Sequence, residues 1–121
     1  MRTKWEIFKP KFKDIWQVDV TYTDSQGHEQ TGDRPCLIIK EFENSDLVLV
    51  IPFTGEEAAL HLPYTVKIEK NDVNGLTHDS VALVFQMKSI SKSRFKYKRG
   101  RILKSKYTSI EVHIKDIFRL K

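Results

Sequence analysis

Polar and apolar residues alternate along residues 15–22. Trp16, Val18, Val20 and Tyr22 share one parity, and Ile15, Gln17, Asp19 and Thr21 share the other. A period of two puts successive side chains on opposite faces of a strand. The segment therefore predicts a half-buried strand with its aromatic and valine face inward. Residues 23–32 are polar and predict a loop. Two short runs, 35–40 and 46–52, are apolar on both faces and predict strands joined near Glu43-Asn44-Ser45. Residues 63–69 predict another strand. Asn71-Asp72-Val73-Asn74-Gly75 predicts a turn, because an Asn-Gly pair accepts positive φ. Residues 80–86 form the most apolar run and are expected to be a central strand, and residues 100–103 a further short one. The C-terminus changes period. Thr108 and Glu111 stand at capping-box spacing, and Ile110, Ile114, Ile117 and Phe118 recur at helical intervals. Their β-branching leaves a terminal strand as the competitor. Several short strands and one short helix make the chain mainly β and suggest a small, strongly bent barrel. Periodicity alone does not choose among small β folds.

The 121 residues are expected to form one domain, residues 1–121, with one modest core. No apolar stretch reaches the ~18 residues of a membrane span. The first residues, Met1-Arg2-Thr3-Lys4-Trp5-Glu6, lack the apolar core of a signal peptide. The single cysteine, Cys36, lies inside an apolar run and reads as a small buried hydrophobe. A cytoplasmic protein is the simplest expectation.

Charge adds a partner class. The net charge is +5. Between Met87 and Ile110 there is no Asp or Glu, while Lys88, Lys92, Arg94, Lys96, Lys98, Arg99, Arg101, Lys104 and Lys106 crowd together with Phe95, Tyr97 and Tyr107 among them. Cations reach phosphates and aromatic faces stack on unpaired bases, so this stretch suggests nucleic-acid contact. A solvated basic surface over a few core aromatics is the plainer alternative.

Candidate chemistry concentrates in residues 27–35, Gly-His-Glu-Gln-Thr-Gly-Asp-Arg-Pro, which run straight into the apolar Cys36-Leu37-Ile38-Ile39. Arg34 at the start of a buried strand is held in place, while His28 and Glu29 lie on the loop before it. An ordinary polar hairpin turn is the alternative. Metal sites find little support: His28, His61, His78 and His113 are scattered and none forms an H-x-x-x-H or Cys/His spacing. His78 and Asp79 are adjacent, and neighbours on a strand point to opposite faces. A Ser-His-Asp triad stays open in principle, although no G-x-S-x-G elbow is present. Lys98-Arg99-Gly100-Arg101 holds too few glycines for a phosphate loop.

The segment G-H-E-Q-x-G-x-R-P, preceded by Asp14-Ile15-Trp16-Gln17-Val18-Asp19, resembles the start of the MazF/PemK family of toxin ribonucleases. Ile51-Pro52-Phe53-Thr54 resembles that family's second motif, apolar-Pro-x-Thr. Residues 80–90, Ser-Val-Ala-Leu-Val-Phe-Gln-Met-Lys-Ser-Ile, followed by Arg94, resemble the third. The three stand in the family's order over residues 13–101. The resemblance implies an SH3-like barrel and a metal-independent, sequence-selective endoribonuclease without a cofactor, cutting single-stranded RNA to 2′,3′-cyclic phosphate and 5′-OH ends. It further implies a homodimer and a cognate antitoxin covering the RNA site.

RNA cleavage of this kind needs a base for the 2′-OH, a cation for the phosphorus oxygens and an acid for the 5′-oxygen. Arg34 suits the cation: its planar fork matches phosphate oxygens, and it could also donate a proton to the leaving oxygen. An Arg tying down the loop through Glu29 or Asp33 is the alternative. The resemblance pairs Thr54 with Arg34 in the active site; on residues alone, Thr54 beside Gly55 reads as a turn residue. His28 could be the general base or an RNA contact, although many family members carry Ser there. Glu29 is a second candidate base or an acceptor for Arg34. Gln86, Lys88, Arg94, Lys96, Lys98 and Arg99 are assigned to the RNA groove. Two departures stand out: Lys13 replaces a common Gly, and Phe85 occupies a position where several members carry an acid. Two other classes compete, a catalytically silent nucleic-acid-binding barrel and a gyrase-poisoning toxin of the same fold.

Overall fold

The computed structural model describes residues 9–21 and 32–120. These form β1 (Asp14–Asp19), β2 (Asp33–Glu41), β3 (Leu47–Thr54), β4 (Thr65–Ile68), β5 (Ser80–Leu83), β6 (Lys88–Ser91), β7 (Phe95–Arg101) and the helix α1 (Lys104–Ile117). Single 3₁₀ turns occupy Glu57–His61, Val84–Gln86 and Lys92–Arg94. The pairing path is β4-β5-β3-β2-β1-β7, with β6 joined to β3 beside it. The class is mainly β with one C-terminal helix, as expected. The path ends at β4 and at β7, so the sheet is open between those two strands.

β3 is the hub. Along one edge it pairs with β2, from Glu41↔Val48 to Cys36↔Pro52. Along the other it changes partner: Leu47–Val50 pair with β6, and Phe53 and Thr54 pair with β5. Residues 80–86 are therefore not the central strand. β5 stops at Leu83 and Val84–Gln86 form a 3₁₀ turn. All four residues of β5 are buried. Burial on both faces makes a strand read as continuously apolar wherever it sits in the sheet.

Both faces of β1–β2–β3 are covered. Ile15, Leu37, Ile51, Phe53 and Ala82 pack on one side with Ile110 of α1. Trp16, Val18, Cys36, Ile38, Val50, Ile90 and Phe95 pack on the other. Trp16, Val18 and Val20 point inward as their parity predicts, and Ile15 on the opposite parity is equally buried. Burial also pushes the Cys36 thiol far above the usual cysteine range.

The basic segment differs from its reading. It holds two strands, Lys88–Ser91 and Phe95–Arg101, where only residues 100–103 were expected. β7 is an end strand whose residues after Phe95 are exposed or half-buried. Charged side chains suit such an edge, but they erase the apolar alternation that would reveal it. The helix also begins earlier, at Lys104. Thr108 lies inside it and donates its hydroxyl back to the Lys104 carbonyl at 3.0 Å. Ile110, fully buried, anchors the helix to the core, with Tyr107 and Ile114 packed beside it. Tertiary packing has outweighed the capping-box spacing.

The Asn71–Gly75 turn lies flat on β7. Gly75 has φ +65°, and a methyl group there would collide with the Arg99 carbonyl; one at Gly100 would collide with the Val73 carbonyl. The Arg101 amide donates to Val73 O at 2.9 Å. Asn74 is buried. Its Oδ1 accepts from the amides of Asn71 and Leu76, and its Nδ2 donates to Glu69 O. This clamp fixes the segment after the turn against β7.

Gly100→Ala should force this contact apart. Overpacking of this kind costs about 1–3 kcal/mol, and a lowered urea midpoint would check it. An unchanged midpoint would mean that the turn shifts without cost. Cys36 should stay inert to thiol reagents in the native protein and react only on unfolding.

Candidate active site in the cleft between β2 and β3

Pro35 shapes the site. Proline has no amide to add to a ladder. The β2–β3 pairing ends at Cys36↔Pro52, one residue after Pro35. Beyond it, the start of β2 stays with β1, where Val18 is paired with Arg34, and the end of β3 goes to β5. The strands separate, and a cleft of about 250 Å³ opens there, lined by Gln17, Arg34, Pro35, Gly55, His78 and Arg99 among others. Thr54 pairs with Val81 of β5 and stands between the lining residues Phe53 and Gly55 without being one of the lining residues itself. A smaller hollow of about 130 Å³ shares Gly55 and Ser80 with the cleft and runs on to Lys67 and Leu60.

Arg34 is half-buried on β2. Thr54 is 3% exposed. Its Oγ1 accepts from the Glu56 amide at 3.2 Å, which fixes the rotamer, and a hydroxyl that accepts can still donate. Arg99 enters the cleft from β7. Its Nη1 donates to Gln17 Oε1 at 3.0 Å and to Tyr97 Oη at 3.1 Å. Its Nε is buried without a partner. Asp33 also lines the cleft. Its carboxylate holds Lys96 at 2.9 Å, and that hydrogen bond keeps the ammonium above the usual lysine value.

The basic stretch does not act as one face. Lys96 reaches the cleft's Asp33, and Arg99 lines the cleft. Lys98 and Arg101 instead converge on Asp14, at 3.5 and 3.4 Å. Asp14 is 2% exposed and also accepts from Trp16 Nε1 and from the Lys11 amide. Gln86 sits in the 3₁₀ turn after β5, and Lys88 begins β6 opposite Val50. Arg94 donates to the Thr21 carbonyl. His28 and Glu29 lie outside the described residues. Gln17 and His78 are among the cleft residues that the sequence reading did not mark. Gln17 sits on the outward parity of β1, a signal that was legible. His78 belongs to the β4–β5 connection, which is brought here only by the clamp on β7. Among the described residues, no three His, Cys, Asp or Glu gather as metal ligands would, and no helix is long and apolar enough to cross a membrane.

Comparison with known proteins bears on this arrangement. Residues 11–118 match the family described as PemK-like, MazF-like toxin of type II toxin–antitoxin system. The chain is 35% identical over 88 residues to the endoribonuclease MazF of Staphylococcus saprophyticus, covering 70% of this chain and 71% of that protein. MazF from Deinococcus radiodurans superposes with a TM-score of 0.74 at 18% identity, over 92% of this chain and 97% of that one. A mycobacterial endoribonuclease in complex with its cognate antitoxin gives 0.66 at 14% identity, over 94% and 98%. At these identities the two structures speak to the fold.

The hydrogen bond from the Glu56 amide gives Thr54 a structural share that can be measured. Thr54→Val should lose about 0.5–1.5 kcal/mol of stability, whereas Thr54→Ser should retain it. Equal stability of all three proteins would remove that share.

Proposed function

The chain belongs to the PemK-like, MazF-like toxin family of type II toxin–antitoxin systems, and on that premise we propose an endoribonuclease toxin that cuts single-stranded RNA selectively and without a metal ion. Its products are 2′,3′-cyclic phosphate and 5′-OH ends. The observation that supports the reading is the β2–β3 junction, where Arg34 lines one cleft, Arg99 enters it from β7, and Thr54 stands between the lining residues Phe53 and Gly55.

The substrate's 2′-oxygen attacks the adjacent phosphorus, giving up its proton to His28, or to Glu29 in its place. Negative charge grows on the non-bridging oxygens. The Arg34 fork and the Thr54 hydroxyl stabilise it from rigid strand positions, so no reorganisation is needed as the charge develops. Arg99 holds a flanking phosphate. Tyr97, 52% exposed beside it, offers an aromatic face to an unpaired base. Lys96 and Lys98 extend the basic track, each tempered by a carboxylate. Gln86, Lys88 and Arg94 line the RNA path beyond β3. By analogy with the mycobacterial complex, a cognate antitoxin masks this surface; a second copy of the chain completes the toxin as a homodimer, which acts in the cytoplasm.

Arg34→Ala should fold normally and cleave about 10²–10³-fold more slowly, the usual cost of removing a transition-state donor. Cleavage-site mapping on a long single-stranded RNA in EDTA checks both the rate and the ends. Near wild-type cleavage by a folded variant would remove Arg34 from the chemistry. Arg99→Gln should reduce the salt slope of RNA binding by about 0.7 for each phosphate that the side chain no longer neutralises. Lys98→Gln should change it less, since Asp14 already neutralises that ammonium. Equal slopes for the two variants would contradict this division.

A further inference from the structure

The cleft holds a proton-exchanging group that no motif contains. His78 lines it together with Arg34 and Arg99. The segment carrying His78 is tied down on both sides. Before it, Leu76 is buried and its amide donates to Asn74 Oδ1 at 3.0 Å. After it, Asp79 Oδ1 accepts from the Lys70 amide at 2.9 Å, and Ser80, the buried first residue of β5, donates its hydroxyl to His78 O at 3.2 Å. The His78 backbone is thus held at its own carbonyl and through Leu76 and Asp79 on either side, while the side chain stays exposed in the cleft.

Inside the cleft the division of labour is uneven. Arg34 and Arg99 supply positive charge, but a guanidinium keeps its proton at neutral pH. β1 contributes the neutral Gln17, and the end of β3 contributes Phe53 and Gly55. β2 contributes Asp33, which is engaged by Lys96 at 2.9 Å. Asp79 turns to the neighbouring hollow. His61 and His113 lie elsewhere, at the end of a 3₁₀ turn and against Tyr64. An imidazole is the side chain best suited to give and regain a proton near neutrality.

We propose that His78 is the general acid that protonates the departing 5′-oxygen of the RNA. The inference rests on the ribonuclease reading of this cleft and deepens it. As the bond from the 2′-oxygen to phosphorus forms, the bond from phosphorus to the 5′-oxygen breaks. The leaving oxygen takes the proton of the His78 imidazolium, and neutral His78 regains one from water. Arg34 is then left with charge stabilisation alone.

The test uses two RNAs of one sequence, with oxygen or sulfur at the bridging 5′ position of the cleavage site mapped for the wild-type protein. A thiolate leaves without needing a proton. His78→Ala and His78→Asn should cut the oxygen substrate about 10²–10⁴-fold more slowly, the range for loss of a general acid. Both should cut the sulfur substrate at close to the wild-type rate. On the oxygen substrate, the limb of the wild-type pH profile that falls with rising pH should be absent from both variants. Arg34→Ala should be slow on both RNAs. Equal loss on both RNAs for the His78 variants would reduce His78 to an RNA contact, and no loss on either would make it a bystander; each result overturns the proposal. If the wild-type protein cuts neither RNA, the ribonuclease reading itself fails, and the inference fails with it.

Discussion

The site depends on the failure of two strands to stay paired. β2 and β3 share a ladder up to Cys36↔Pro52 and then separate; Pro35, the next residue of β2, has no amide to continue it. Each strand end keeps another neighbour: β1 holds the start of β2, and β5 holds the end of β3. Both ends therefore stay rigid although they no longer bond to each other. A gap between two fixed strand ends is a suitable place for phosphate chemistry. Charge and hydroxyl donors on its walls need not move when the substrate arrives.

The second wall of the cleft comes from the clamp of the Asn71–Gly75 turn on β7. Gly75 and Gly100 allow two backbones to touch, and the Asn74 side chain makes three hydrogen bonds that hold the turn together. This brings the connection before β5 against Arg99. Substitutions at these glycines act on the site from outside it, by moving a wall rather than by removing a donor.

Electrostatics distributes roles within a segment that looks uniform in sequence. The basic run contains no acid of its own, so its partners come from other strands. Asp14 draws Lys98 and Arg101, Asp33 draws Lys96, and Arg99 is bonded to the neutral Gln17 and Tyr97. Asp14 is almost fully buried, so its two cations answer a structural need as well as any RNA. A count of lysines and arginines overstates the charge available to a phosphate chain.

Much of this protein was decided by local sequence. The inward face of β1, the strands of the apolar runs, the turn at Asn74-Gly75 and the helical spacing of Ile110 and Ile114 follow from periodicity and turn chemistry. Arg34 and Thr54 became candidates through the family resemblance of short motifs at strand ends; without it Thr54 reads as a turn residue. Other features had no local signal. β6 and β7 were hidden because an edge strand of lysines and arginines shows no apolar alternation. The start of α1 was set by how Ile110 docks into the core, not by Thr108. β5 read as central because it is buried on both sides, which sequence cannot separate from position in the sheet. The placement of His78 in the same cleft as Arg34 came from tertiary structure alone. Strand pairing and a glycine clamp join segments that are distant in sequence, and no pattern within either segment records the other.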